Sequence, residues 1–272
     1  MTLAAIGDPA TKDARGKMAA FIRKVQRAED EARVGGGFGY NTAGSADLSN
    51  TQYAIEAMRA AGIPDDDPQL QKALKYLERA QNRTENEANK DAKYEMDGKT
   101  VVPGNDGSAA YEPGVSKAGM RRLPDGTFIP RGYGSMSYAL LKCYILVGMD
   151  ADDPRVQAVL AWLGANYTWS ENPGFEDTVR ESSRKDAAQA RHWGLYYYYA
   201  TAAKALRLLG KDTIKTPDGE RNWRADIAKA LLERQGEDGS WVNDKASRWN
   251  ENDRLIVTCY ALIALQDVLG LE

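Results

Sequence analysis

The chain predicts an all-α fold made of two concentric layers of helices, and two observations carry that expectation. First, a helical segment that starts at a hydroxyl residue and ends at glycine occurs four times: "TQYAIEAMRAAG" (Thr51 to Gly62), "SYALLKCYILVG" (Ser137 to Gly148), "TAAKALRLLG" (Thr201 to Gly210) and "TCYALIALQDVLG" (Thr258 to Gly270). Second, another kind of helix alternates with it, and the two kinds differ in polarity. An amphipathic helix has one dry side, whereas a helix apolar all round needs cover on every side. Alternating them suits an outer layer wrapped around an inner one. A plain bundle of eight amphipathic helices is the alternative.

Taken in order, the first outer segment is "ARGKMAAFIRKVQ" (Ala14 to Gln26), followed by the turn "GGGFGY" (Gly35 to Tyr40). The first inner helix ends at Gly62, where glycine enters the left-handed region without steric cost. "DPQLQKALKYL" (Asp67 to Leu77) is the second outer helix, with Leu70, Ala73, Leu74 and Leu77 on one face and Lys72, Lys75, Glu78 and Arg79 elsewhere. Residues 83–134 are rich in Gly, Pro and charge and read as a long loop insertion that contains the turn "NDGSAAY" (Asn105 to Tyr111). After the second inner helix, "DPRVQAVLAWL" (Asp153 to Leu163) repeats the Asp67 segment almost position for position. A second loop insertion spans about 168–192. "WRADIAKALLERQ" (Trp223 to Gln235) and the turn "QGEDGSW" (Gln235 to Trp241) precede the last inner helix. In that helix "LIVTCYALIAL" (Leu255 to Leu265) carries no charge and is expected to be buried all round. The whole is read as one domain over residues 1–272.

Composition narrows the chemistry. A net charge of −3 argues against a general nucleic-acid binder. No apolar run approaches the roughly 20 residues of a membrane helix. The opening "MTLAAIGDPATKDARGK" lacks the basic stretch of a signal peptide, which leaves the compartment open. Cys143 and Cys259 lie far apart in apolar segments and read as buried thiols rather than a disulfide. With His192 as the only histidine, no Cys/His zinc spacing can be assembled, and neither a metal nor another cofactor is expected.

The densest acidic stretch is "DADD", Asp150 to Asp153. Its place immediately before Pro154 makes Asp153 a helix N-cap and Pro154 the first helical residue. "DDDP" (Asp65 to Pro68) has the same form one unit earlier. A calcium site would need further oxygen ligands and a turn glycine.

"QGEDGSW" resembles the Gln-x3-Gly-x-Trp repeat of squalene and hopene cyclases, and "GGFGY" resembles the Gly-Gly-Phe turn shared with prenyltransferase β subunits. With the helix alternation and "GLYYYY" (Gly194 to Tyr199), the chain over about residues 12–270 resembles bacterial proteins of the prenyltransferase/squalene-oxidase repeat superfamily. The resemblance implies an α/α toroid whose inner helices surround a central cavity, with at least four of the helical pairs present.

It also implies where an acid should lie. Class II terpene cyclases of that superfamily carry Asp-x-Asp-Asp at the start of an inner helix, followed by Thr. "DADD" matches the letters but stands between an inner and an outer helix. The segment in the right phase is "DLSNT", with Asp47 kept and Ser49 and Asn50 in place of the acids. A serine hydroxyl is far too weak an acid to protonate an alkene. The zinc ligands of the prenyltransferases are not assembled from Cys259 and His192, and Ala200 stands where the relatives have a histidine after the tyrosines.

The candidate cavity is therefore Asp47, Ser49, Asn50, Tyr133, His192, Trp193, Tyr196, Tyr197, Tyr198, Tyr199, Glu251, Asp253 and Arg254. Three functions follow as expectations. The first is non-catalytic binding of an apolar small molecule, isoprenoid or lipid, or of a protein partner. The second is an enzyme on an isoprenoid or lipid with an unidentified acid. The third is a carbohydrate-active enzyme using Asp47 with Glu251 or Asp253.

Overall fold

The computed structural model describes residues 8–181 and 183–271. Part of the opening segment read for a signal peptide lies outside them. Nine α-helices are formed by the described residues: α1 (Lys12–Lys24), α2 (Leu48–Ala60), α3 (Pro68–Ala80), α4 (Gly134–Leu146), α5 (Pro154–Ala165), α6 (Glu176–Glu181), α7 (Leu195–Leu209), α8 (Trp223–Leu232) and α9 (Arg254–Leu269). The strands are β1 (Tyr94–Met96), β2 (Lys99–Val101), β3 (Met120–Arg122), β4 (Phe128–Pro130), β5 (Thr213–Thr216) and β6 (Gly219–Asn222).

The strands overturn the all-α, α/α-toroid expectation. Among the described residues 48% are helical, short 3-10 turns included, and the strands form a mixed four-stranded sheet in the order β1-β2-β4-β3 and a two-stranded sheet, β5-β6. In the larger sheet β1 and β2 are antiparallel, β2 and β4 parallel through Val101 and Phe128, and β3 and β4 antiparallel. Three- and four-residue strands are too short to show an alternation of polarity, so the 83–134 segment reads as a loop. Its turn chemistry is nonetheless written out. Asp97 and Gly98, both at positive φ, close the two-residue hairpin between Met96 and Lys99. Asp125-Gly126 and Asp218-Gly219 stand at the other two hairpins.

Four helices, α2, α4, α7 and α9, pack against one another in chain order, and α3, α5 and α8 flank them. Their repeated glycines Gly62, Gly148, Gly210 and Gly270 all take positive φ just beyond the helix ends. Helix α4 is the most enclosed, buried from Gly134 through Tyr144. Helix α9 departs from the expectation of burial all round. Val257, Ala261, Ala264 and Val268 are buried, whereas Leu255, Cys259, Leu262 and Ile263 are exposed. Both cysteines are free, and only Cys143 is buried.

The repeat has a physical basis in a recurring joint. Gln26, Gln81 and Gln235, each just beyond a flanking helix, donate Nε2 to the carbonyls of Gly36, Gly107 and Gly239 at 2.9, 3.2 and 2.9 Å. Two residues after each glycine, the backbone N–H of Phe38, Ala109 and Trp241 bonds the hydroxyl of Thr51, Ser137 and Thr258 at 3.0, 3.1 and 3.1 Å. These are the hydroxyls that open the repeated segments. Each joint ties the end of a flanking helix to the following core helix.

Buried amides hold the four-stranded sheet to this frame. Asn82 Nδ2 donates to the Pro130 carbonyl at 2.8 Å and to Ser108 Oγ at 3.1 Å, and its Oδ1 accepts from Gly104 N at 3.0 Å. Asn86 and Asn89 both donate to the Glu78 carbonyl, at 3.1 and 2.9 Å.

Candidate functional site

The N-terminal ends of the core helices gather several of the predicted residues, and capping explains where they stand. Asp47 is buried and N-caps α2, its Oδ1 accepting from Asn50 N at 2.8 Å and its Oδ2 from Asn50 Nδ2 at 2.6 Å. Ser49, in the first turn of the same helix, meets Tyr197 of α7 with its Oγ 2.9 Å from the phenol oxygen. Gln52 Nε2 donates to the same phenol, while its buried Oε1 finds no hydrogen-bond partner among the described residues.

Tyr197 is the centre of an aromatic row across three helices. Its ring lies 6.5 Å from that of Tyr53 on α2 and 5.9 Å, edge-on, from that of Tyr260 on α9. Lys142 Nζ of α4 sits 5.1 Å from the Tyr53 ring centroid. The row is open at Tyr53, which is 40% exposed. Burial raises the pKa of Tyr53, with the charges of Tyr260 and Glu56 adding to it, and burial likewise raises that of Tyr197. The phenols therefore stay neutral near pH 7 and can both donate and accept.

Below the row, ionic side chains from all four core helices interlock. Lys142 is buried and pairs with Glu56 of α2 at 2.7 Å. Lys204 of α7 lies 3.7 Å from Glu56 and 3.8 Å from Asp267 of α9, and Arg207 completes the set 2.6 Å from Asp267. Burial raises the Asp267 pKa, against the opposing pull of Lys204 and Arg207.

Glu251 closes the other end. Helix α7 begins at Gly194, which stands at φ +62° and has no side chain to cap with. Glu251 caps in its place: Oε1 accepts from Tyr196 N at 3.0 Å and Tyr197 N at 2.9 Å, and Oε2 from Asn243 Nδ2 at 2.8 Å. The residue is 1% exposed, and burial pushes its pKa up to about 7 while those hydrogen bonds pull it down.

The remaining candidates are placed elsewhere. Tyr133 is buried against Phe175, with ring centroids 4.9 Å apart. Tyr196 and Tyr199 meet edge-on at 5.6 Å, and the Tyr198 hydroxyl donates to the Thr168 carbonyl at 2.8 Å, so these three tyrosines are buried in packing. Trp193 is buried beneath the Arg248 guanidinium, 4.3 Å from its ring. His192 lines a separate 440 Å³ pocket with Ser170, Tyr196, Arg234 and Lys245. Burial, then Lys245 and Arg234, lowers its pKa. Asp253 N-caps α9 through Leu255 N at 2.8 Å, and Arg254 pairs with Asp238 at 2.5 Å.

Asp153 N-caps α5 through Arg155 N at 2.8 Å, so the "DADD" stretch starts a helix. Sequence reasoning missed Gln52, Tyr53, Glu56, Lys142, Lys204, Tyr260 and Asp267. A signal existed in the repeat: Tyr53 and Tyr260 each stand two residues after the repeated hydroxyl, and Glu56 and Lys142 five after it.

Among the described residues, no three His, Cys, Asp or Glu side chains cluster as a metal site would require, and no helix is long and apolar enough to cross a membrane. No family model, curated protein or solved structure matches this chain.

Proposed function

We propose that the chain is a binding protein whose tyrosine row takes an extended segment of a polypeptide partner. The observation that carries this reading is the exposure of Tyr53 in a row with Tyr197 and Tyr260, on a surface open to solvent rather than enclosed. Tyrosine offers a large rigid contact area and a hydrogen-bonding tip, the combination enriched at protein interfaces. An isoprenoid would want an enclosed apolar wall, and the row instead alternates rings with Ser49, Gln52 and Lys142. An acid for catalysis is not favoured at Asp47, because both of its oxygens are engaged in capping.

Kinship with the prenyltransferase/squalene-oxidase repeat superfamily is part of this proposal. It is supported by the glutamine–glycine joints at Gln26, Gln81 and Gln235.

The test is selection of a random peptide library on the wild-type chain and on a Tyr53→Ala/Tyr260→Ala variant. Peptides enriched on the wild type should bind the variant at least about tenfold more weakly while its thermal melt stays close to wild type. Equal enrichment on both, or stabilisation of the wild type by squalene or a prenyl diphosphate instead, would refute the reading.

A further inference from the structure

Among the described residues, the last recurring joint has no helix seated on it, and α1 leaves uncovered the face that its counterpart α3 buries against a joint. Within the chain, every completed joint seats the next flanking helix. A Cβ on Gly36 would lie 2.1 Å from the Lys72 carbonyl oxygen of α3, and one on Gly107 would lie 2.3 Å from the Ala158 carbonyl oxygen of α5. The glycines admit the helix backbone directly against the turn. Gly239, the equivalent in the last joint, meets nothing closer than its own Gln235 side chain at 4.0 Å. No helix is seated there among the described residues.

The core helix beside that joint shows the same vacancy. Counted from the repeated hydroxyl, Leu255, Cys259 and Leu262 of α9 correspond to Leu48, Gln52 and Ile55 of α2 and to Gly134, Tyr138 and Leu141 of α4. All six counterparts are buried, whereas the three α9 residues are exposed, Leu255 by 74% and Leu262 by 55%. At 100° per residue they form one stripe with Leu269, which is 66% exposed.

At the opposite end, α1 is a flanking helix with no joint in front of it among the described residues. Counted back from Gln26 and Gln81, Met18 and Phe21 of α1 correspond to Ala73 and Tyr76 of α3. Ala73 and Tyr76 are fully buried, and the Tyr76 ring packs so closely on the preceding turn that a Cβ on Gly37 would lie 2.7 Å from it. Met18 and Phe21 are 50% and 58% exposed.

Charge follows the register only at the Arg79 position. In the first joint, Lys75 of α3 pairs with Glu29, three residues after Gln26, and Arg79 donates to the Gly35 carbonyl. In the last joint, Asp238 stands three residues after Gln235 and is paired with Arg254 of the same chain, with Glu237 exposed beside it. On α1, Lys24 occupies the position of Arg79, whereas Ala20 occupies that of Lys75 and Lys17 pairs with Asp13 of its own helix.

We propose that copies of this chain associate head to tail, α1 of one copy seating on the Gly239 turn and the α9 stripe of the next, as α3 seats on the Gly36 turn. The contact joins two different surfaces, so it grows into closed or open assemblies rather than stopping at a two-fold dimer. Sedimentation velocity on the full chain tests it, with Phe21→Asp and Leu262→Asp as single-edge variants and Leu255→Asp as a second probe of the α9 edge. All three sites are exposed, so unchanged melts are expected.

The wild type should exceed its monomer mass of 29.9 kDa as concentration rises. Each variant alone should lose that growth. An equimolar mixture of Phe21→Asp and Leu262→Asp should recover dimers that grow no further, because one intact edge remains on each partner. A wild type that stays monomeric at every soluble concentration would overturn the proposal, as would a dimer lost in Leu262→Asp but indifferent to Phe21→Asp.

Discussion

Replacing Glu251 separates two forces that act on one carboxyl. Burial raises its pKa from 4.5 to about 7, so across that interval the folded chain holds a proton that the unfolded chain releases. Stability therefore falls as pH rises through the interval, because the unfolded state binds fewer protons. Between about pH 5 and about pH 8 the loss amounts to a few kcal/mol, on the order of 2 to 3, each tenfold difference in proton affinity being worth about 1.4 kcal/mol. The side chain is 1% exposed, so solvent screening does not reduce this figure.

Glu251→Gln keeps an oxygen for the amides of Tyr196 and Tyr197 and removes the titration. Its new amide nitrogen would face the Asn243 Nδ2 donor, and Asn243 cannot simply flip, because its Oδ1 accepts from Ala246 N at 3.1 Å. That mismatch costs about 1 kcal/mol at every pH. Urea unfolding of both proteins across the range should give a stability difference, wild type minus variant, that declines as pH rises. Ionisable groups common to both cancel in the difference. A constant difference, or one that grows with pH, would refute the reasoning and mean that the three hydrogen bonds outweigh burial.

Two further outcomes are expected. Asp153→Ala should lower stability by about 1 kcal/mol through loss of the α5 cap, visible in urea unfolding, and leave peptide binding untouched. Lys142→Met should cost about 2 kcal/mol in the same assay by leaving the half-buried Glu56 short of its closest partner, and adding Glu56→Gln should recover part of that loss.

How much was legible depended on the distance over which each signal acts. Caps are local, and Asp67 and Asp153 can be read as helix starts from the residues beside them. The repeated hydroxyls can also be located, although their role as acceptors for a turn one joint back emerges only in three dimensions. The sheets were hidden because their strands are too short for a polarity pattern, while Asp97-Gly98, Asp125-Gly126 and Asp218-Gly219 announced the turns without naming what they joined. For α9, the absence of charge indicated a helix that wants cover but did not say whether its own chain supplies it. In the tyrosine run, one face of α7 takes Tyr197 to the core helices, while loop carbonyls and neighbouring rings hold the other three. A run of identical letters carries no information on that division.

The amide clasp around Asn82, Asn86 and Asn89 has a consequence for how the molecule answers its surroundings. Carboxamides gain and lose no proton over the range in which Glu251 titrates. Salt screens separated charges far more than it weakens a buried dipole in direct contact. At those amides the fastening is electrically silent, whereas the Arg131 pairs with Asp177 and Glu181 beside β4, the start of α7 and the ion pairs of the core helices all answer to acid and salt.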